Sequence, residues 1–229
     1  MYRQETTMHL STGKCLFCGS VHTKPGMTKH LATCPQRLPR LNLHVGQDGR
    51  EGLIFHLEVA GRDLSMYWLQ LEVPATANLS RLDRFLRRIW LECCGHLSAF
   101  RIGAETFFSS GAREMEGRSM NFQLDRWVAP GVEFYHRYDF GSTTELVLKV
   151  VGERRGLTDG KTIPVMARND PPVWPCVSCG RAATQVCGQC SADGGGWLCD
   201  DCVPEHECGE DMLLPVLNSP RVGVCGYGA

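Results

Sequence analysis

Along residues 50–75 apolar and polar side chains alternate, with Leu53, Phe55, Leu57 and Val59 in one run and Tyr67, Leu69, Leu71 and Val73 in the next. Successive side chains of an extended chain point to opposite faces, so this period of two predicts two half-buried strands. Between Ser80 and Cys94 the period changes: Leu82, Phe85, Leu86, Ile89 and Trp90 recur every three or four residues, on one face of a helix. Ser80, with Asp83 three residues on, reads as a capping-box-like start, and Gly95 as the stop. Two further strands are predicted around residues 134–140 and 144–151, joined by Gly141 and Ser142. The whole reads as α+β, a central antiparallel sheet with packed helices over residues 50–155. Pro164, Pro171, Pro172 and Pro175 then break up residues 156–175, which read as a proline-rich linker because proline removes a ladder donor and fixes φ.

Composition adds one unusual number. The chain has 229 residues, 43% hydrophobic and 21% charged, as a globular protein does, and 13 of them are cysteine. No apolar run approaches the roughly 20 residues of a membrane span, and the polar start resembles no secretion signal. A cytoplasmic location away from membranes is expected, where disulfides do not persist and clustered thiols point to metal. Charge is uneven: +5 over residues 1–47, −1 over 48–155 and −5 over 156–229.

Residues 10–40 carry Cys15-x2-Cys18-x11-His30-x3-Cys34, the ligand spacing of a C2HC zinc finger. Two thiolates on a tight knuckle take one side of the tetrahedron. His30 and Cys34, four apart on a helix, complete it. Met27 sits one turn before His30, where such fingers place a core residue. The helix positions that would reach base edges are Thr23, Gly26 and Lys29, and Gly26 offers no side chain. Sequence reading by this finger is therefore not expected, whereas Lys24, Lys29 and Arg37 are candidates for nucleic-acid backbone or partner contact.

Residues 176–210 hold eight more ligands: Cys176, Cys179, Cys187, Cys190, Cys199, Cys202, His206 and Cys208. That is enough for two tetrahedral ions, or three zinc ions over the whole chain. The spacing resembles B-box and related cross-braced modules. The resemblance implies Cys176, Cys179, Cys199 and Cys202 on one ion, and Cys187, Cys190, His206 and Cys208 on the other. Sequential pairing is the alternative. Trp197 is the expected apolar anchor, residues 211–229 read as a tail, and the linker is expected to keep this module energetically separate from the core. With metal bound, the formal charge becomes near +4 for the first block and −8 for the last segment, because each thiolate adds −1 and each ion +2. Nucleic acid would then meet the first end and a protein partner the last.

In the middle region, Tyr67-Trp68-Leu69-Gln70-Leu71-Glu72-Val73-Pro74, the helix over 79–91, His96-Leu97-Ser98-Ala99-Phe100-Arg101-Ile102 and Tyr138-Asp139-Phe140-Gly141 follow one another. That order resembles the plasmid-borne Ri (pRiA) open-reading-frame-three-like family, which includes TnpR-like accessory proteins. The resemblance implies mobile-element and nucleic-acid roles. Members often carry an acid and a tryptophan after the last element, where Ser142, Thr143 and Thr144 stand here.

Arg81, Arg84 and Arg88 share the polar face of the helix and are further contact candidates. Asp139 reads as a turn residue rather than a catalytic acid. Cys93, Cys94 and His96 suggest a cysteine hydrolase, but thiols at the negative end of a helix have raised pKa values and react poorly. Cys225 lies in the glycine-rich tail with no base specified beside it. The expected function is a non-enzymatic zinc-binding adaptor or accessory protein acting through protein–protein contacts. The alternatives are a nucleic-acid-binding accessory factor of a mobile element, and a cysteine- or metal-dependent hydrolase.

Overall fold

The computed structural model of the chain describes residues 11–44, 49–92, 94–109 and 117–224. Strands β1 (Thr12–Cys15) and β2 (Val21–Thr23) lead into helices α1 (Lys24–Thr33) and α2 (Arg37–His44). Then come β3 (Arg50–Gly61), β4 (Trp68–Pro74), α3 (Leu79–Leu86), β5 (Ser98–Ile102), β6 (Glu105–Phe108), β7 (Arg118–Ser119), β8 (Glu133–Tyr138), β9 (Thr144–Thr158) and β10 (Val165–Asn169). These ten strands form one sheet in the order β2-β1-β10-β4-β3-β9-β8-β5-β6-β7. It is antiparallel except for the short β6–β7 pair. A three-stranded sheet follows, with β11 (Gln185–Cys187) between β12 (Trp197–Leu198) and β13 (Leu213–Pro215). No helix among the described residues is long and apolar enough to cross a membrane.

The α+β expectation holds, with more sheet and less helix than the pattern suggested, and three boundaries change. Residues 156–175 are not a linker: β9 runs to Thr158, and β10 lies between β4 and β1, joining the finger hairpin to the core sheet. Pro164, Pro171 and Pro172 fall just outside β10, where no ladder donor is needed, and Pro175 lies farther on, in a bridge to Ala182. The finger is therefore an extension of the central sheet rather than a flanking module. Residues 211–224 are not a loose tail either, since β13 pairs with β11 and the following residues dock on β10 through paired Asn169–Asn218 side-chain bonds.

The helix start also moves. Asn78 is the cap, its side chain accepting from the Arg81 amide at 3.0 Å, while Asp83 is buried and bonded to other elements. An asparagine two residues earlier competes for the same orphan donors, and it wins because Asp83 has better partners. After α3 the chain makes a π-helical turn, Arg87–Leu91. Gly95 follows in the left-handed region at φ 72°.

The alternation along β3 and β4 is real, but both faces of their central part are largely covered. Phe55, Leu57, Val59, Leu69, Leu71 and Val73 pack under α3 with Leu82, Leu86 and Trp90. The polar set on the other face, His56, Gln70 and Glu72, is also buried, because the finger lies on it. Gln70 Nε2 donates to Thr28 Oγ1 of α1 at 2.9 Å and to Glu58 Oε2 at 3.0 Å, and Thr28 Oγ1 donates to Glu58 Oε2 at 2.8 Å. Glu72 receives Arg37 of α2 and Arg154 of β9. A polar strand face is thus satisfied by the finger helices packed onto it, as burial requires.

His56 closes this network, its Nε2–H donating to Gln70 Oε1 at 2.6 Å. Burial pushes its pKa down to about 4 from the ordinary 6.5. The unfolded chain therefore binds a proton that the folded chain refuses, and folding stability should fall as pH drops from about 6.5 to 4, by up to about 3 kcal/mol. His56→Gln should remove that part of the acid dependence. Urea unfolding of both proteins at several pH values in this window measures it, and parallel pH dependences in the two would show that His56 does not contribute.

Candidate metal centres

The first tetrad is built by a hairpin and a helix. Cys15 ends β1, and Gly19, at φ 77°, lets the turn fold back so that the Gly19 amide donates to Cys15 O at 2.8 Å. That knuckle aims Cys15 and Cys18 to one side. Helix α1 starts at Thr23, whose hydroxyl accepts from the Gly26 amide, and it carries His30 opposite them, with Cys34 as its C-terminal cap. Met27 and Leu31 fill the interior beneath. One donor atom from each of Cys15, Cys18, His30 and Cys34 lies within 4.8 Å of the others. His22 stacks on the His30 ring at 4.4 Å between centroids and holds its plane.

The second and third tetrads interleave. Cys176, Cys179, Cys199 and Cys202 form one group, and Cys187, Cys190, His206 and Cys208 the other, each with its donor atoms within 4.8 Å. The cross-braced grouping is therefore the one observed, and the sequential alternative is not. Sulfur–sulfur separations of 3.5 Å for Cys179–Cys199 and for Cys190–Cys208 are close to the roughly 3.8 Å set by a tetrahedron of about 2.3 Å bonds. The one-residue gap between His206 and Cys208 is accommodated, with Cys190 Sγ 3.8 Å from His206 Nε2. Gly196 explains part of the glycine run: a Cβ there would sit 2.9 Å from the Cys190 Cβ.

Neighbouring groups shift several of these thiols in opposite directions. Hydrogen bonds from the Ser20 hydroxyl and amide bring Cys18 down to about 6, and the Cys199 amide leads those that bring Cys176 to about 6. Cys208 and Cys187 beside Cys190 push it up to about 12, and Cys179 and Cys199 do the same to Cys202. Adjacent thiolates repel one another, and a divalent cation among them would relieve that repulsion. Each donor set is soft and four-membered, which fits a tetrahedral metal.

The contact candidates separate. Arg37 is buried, bonded to Glu72 and to Leu31 O at 2.7 Å, so it holds the finger on the sheet and meets no partner. Lys24 lies 3.8 Å from Glu58. Arg81 donates to Lys161 O at 3.2 Å. Lys29, Arg84 and Arg88 are exposed and have no carboxylate within 4.0 Å among the described residues. Cys93 and Cys225 lie outside the described residues, and Cys94 is exposed.

Asp139 is the turn residue expected, at φ 63° with Oδ1 accepting from the Gly141 amide at 3.0 Å. Its other oxygen takes a 2.7 Å bond from Arg221, which is fully buried, and this partner was not legible in the sequence. Burial would raise the Asp139 carboxyl, but the Arg221 guanidinium and the turn amides hold it below the usual range. Also missed were His136 and Ser98, which converge on Asp83 at 2.8 and 2.6 Å. The available signal was a histidine at an inward position of β8, between Phe134 and Tyr138.

The chain matches no family model and no curated protein. Among solved structures it is similar to a protein of unknown function from Methanosarcina mazei Go1, at 14% identity and a TM-score of 0.46, over 53% of this chain and 72% of that one.

Proposed function

We propose that the chain is a non-enzymatic zinc-binding adaptor, holding three structural zinc ions and acting through protein–protein contacts. One observation carries the reading: each of the three donor groups already has four members, which leaves no open position of the kind a catalytic zinc keeps. The partner surface is the acidic end, where Asp200, Asp201, Glu205, Glu207, Glu210 and Asp211 are all exposed, together with Val177 and Met212. A basic protein surface is the chemistry that fits. The resemblance to the plasmid Ri open-reading-frame-three-like family belongs to this proposal as its evolutionary frame. The nucleic-acid reading rests on fewer cations than the sequence suggested, since Arg37 is buried and Lys24 faces Glu58.

Elemental analysis of the full chain is expected to return three zinc ions, and the metal-loaded protein should capture a basic partner. Charge reversal at Glu205, Glu207 and Glu210 should abolish that capture while leaving the metal content unchanged. One ion per chain, or iron in place of zinc, would refute the metal assignment. Capture that survives charge reversal would refute the surface.

A further inference from the structure

The π-helical turn after α3 borders an open cleft of about 540 Å³, within the range of small-molecule sites. Such turns are rare and recur at functional sites, because the extra residue re-aims side chains at the expense of regular hydrogen bonding. Here the Glu92 amide reaches back five residues to Arg87 O at 2.8 Å, and Arg84, Arg87 and Arg88 all line the cleft. His96 and Ser109 contribute to the same walls.

The three arginines are not equivalent. Arg87 is committed: its Nε lies 3.1 Å from Asp83 Oδ2, and its two terminal nitrogens donate to Glu92 Oε2 at 3.0 Å and to His96 O at 2.6 Å. Asp83 is locked in turn by Ser98 and His136, and Glu92 by the Tyr138 hydroxyl at 2.9 Å and the Gly95 amide at 2.6 Å. The result is a rigid floor whose charges are already paired. Arg84 and Arg88 stand above it without a carboxylate. Arg84 Nε donates to Ser80 O at 3.3 Å, and the Arg88 guanidinium lies over the Phe85 ring at 5.9 Å. Four apart on one helix face, these two cations repel each other unless an anion comes between them. Ser109 Oγ accepts from the Ser98 amide at 3.0 Å, which leaves its own proton to donate.

We propose that this cleft binds a phosphate group, with the Arg84 and Arg88 guanidiniums as the clamp and the Ser109 hydroxyl donating to one of its oxygens. A dianion balances two unpaired cations, and the planar guanidinium fork matches phosphate oxygens in pairs. The volume exceeds that of phosphate alone, so the occupant is a phosphomonoester whose organic part lies along Leu97. The site stands apart from the zinc centres, and its test does not depend on the adaptor reading.

Titration calorimetry of the zinc-loaded full chain with phenyl phosphate and with inorganic phosphate, at matched ionic strength in chloride, tests it. Saturable binding of phenyl phosphate is expected, weakened at least about tenfold in R84Q/R88Q and by a smaller factor in S109A. Both arginines are exposed, so R84Q/R88Q should keep the wild-type melting temperature and zinc content. If it does not, the single variants R88Q and S109A carry the test. Inorganic phosphate binding as tightly as phenyl phosphate would support the clamp and name free phosphate as its ligand. No saturable binding to the wild type, or equal affinity in R84Q/R88Q, would overturn the proposal. So would a duplex oligonucleotide that binds more tightly than phenyl phosphate with a logarithmic salt slope beyond about three, because the arginines would then belong to a nucleic-acid track.

Discussion

Cys187→Ser is expected to lower the melting temperature of the whole chain, by roughly 10 °C or more, and not merely to unfold residues 176–210. The change removes one of four donors from the third tetrad, and the cross-braced grouping makes the two donor sets of this module share their loops. A segment so short has too little apolar interior to fold without its ions, so metal loss and unfolding are one event. The module is not separated from the core as the sequence had suggested. Val186 and Val222 belong to the same buried cluster as Leu57, Leu71 and Trp90, and Trp197 stacks on Trp174 at 4.1 Å. The Trp174 indole donates to the Tyr67 hydroxyl at 3.1 Å, which ties the stack to the start of β4. Unfolding the module uncovers this surface and also withdraws Arg221 from Asp139. Scanning calorimetry should show one displaced transition. A core transition that stays at the wild-type temperature, beside a lost smaller one, would restore the picture of independent modules.

Arg221→Met should destabilise the protein by about 3 to 5 kcal/mol at neutral pH, the usual effect of removing one partner from a buried ion pair. Arg221 donates to Asp139 Oδ2, to Ser142 O at 3.0 Å and to Thr144 Oγ1 at 3.0 Å, with its guanidinium 4.9 Å from the Tyr138 ring. Without it, the Asp139 carboxylate stays ionised in a place it does not leave, because its backbone turn holds it there. The folded-state pKa of Asp139 is depressed, so its contribution is present above the unfolded value of about 3.9 and is lost as pH falls through the lower folded value. The gap between wild type and variant should therefore shrink below about pH 4. Asp139→Asn tolerates the positive φ, and in the double variant it should recover part of the loss. Denaturant unfolding of the four proteins of this cycle measures the coupling. Additive effects would mean that the pair does not interact.

What the chain declares locally is its metal chemistry and its periods. A knuckle of two cysteines and a pair of ligands one helical turn apart are short-range geometry, so twelve donors could be named from spacing alone. The alternation of β3 and β4 and the three-to-four spacing of α3 likewise depend only on where successive side chains point. Decisions about partners are non-local. His56, Gln70 and Glu72 look like a solvent face until the finger, brought alongside by β10, buries them. Arg37 reads as a contact for phosphate until Glu72 takes it, and Arg221 reads as part of a tail until it enters the core 82 residues from Asp139. The spacing alone left two groupings of the last eight ligands open; only the folded chain, which brings Cys176 and Cys179 to Cys199 and Cys202, decides between them. A polar side chain carries no local mark of whether its hydrogen bonds go to water or to another element, since only the folded chain supplies the alternative.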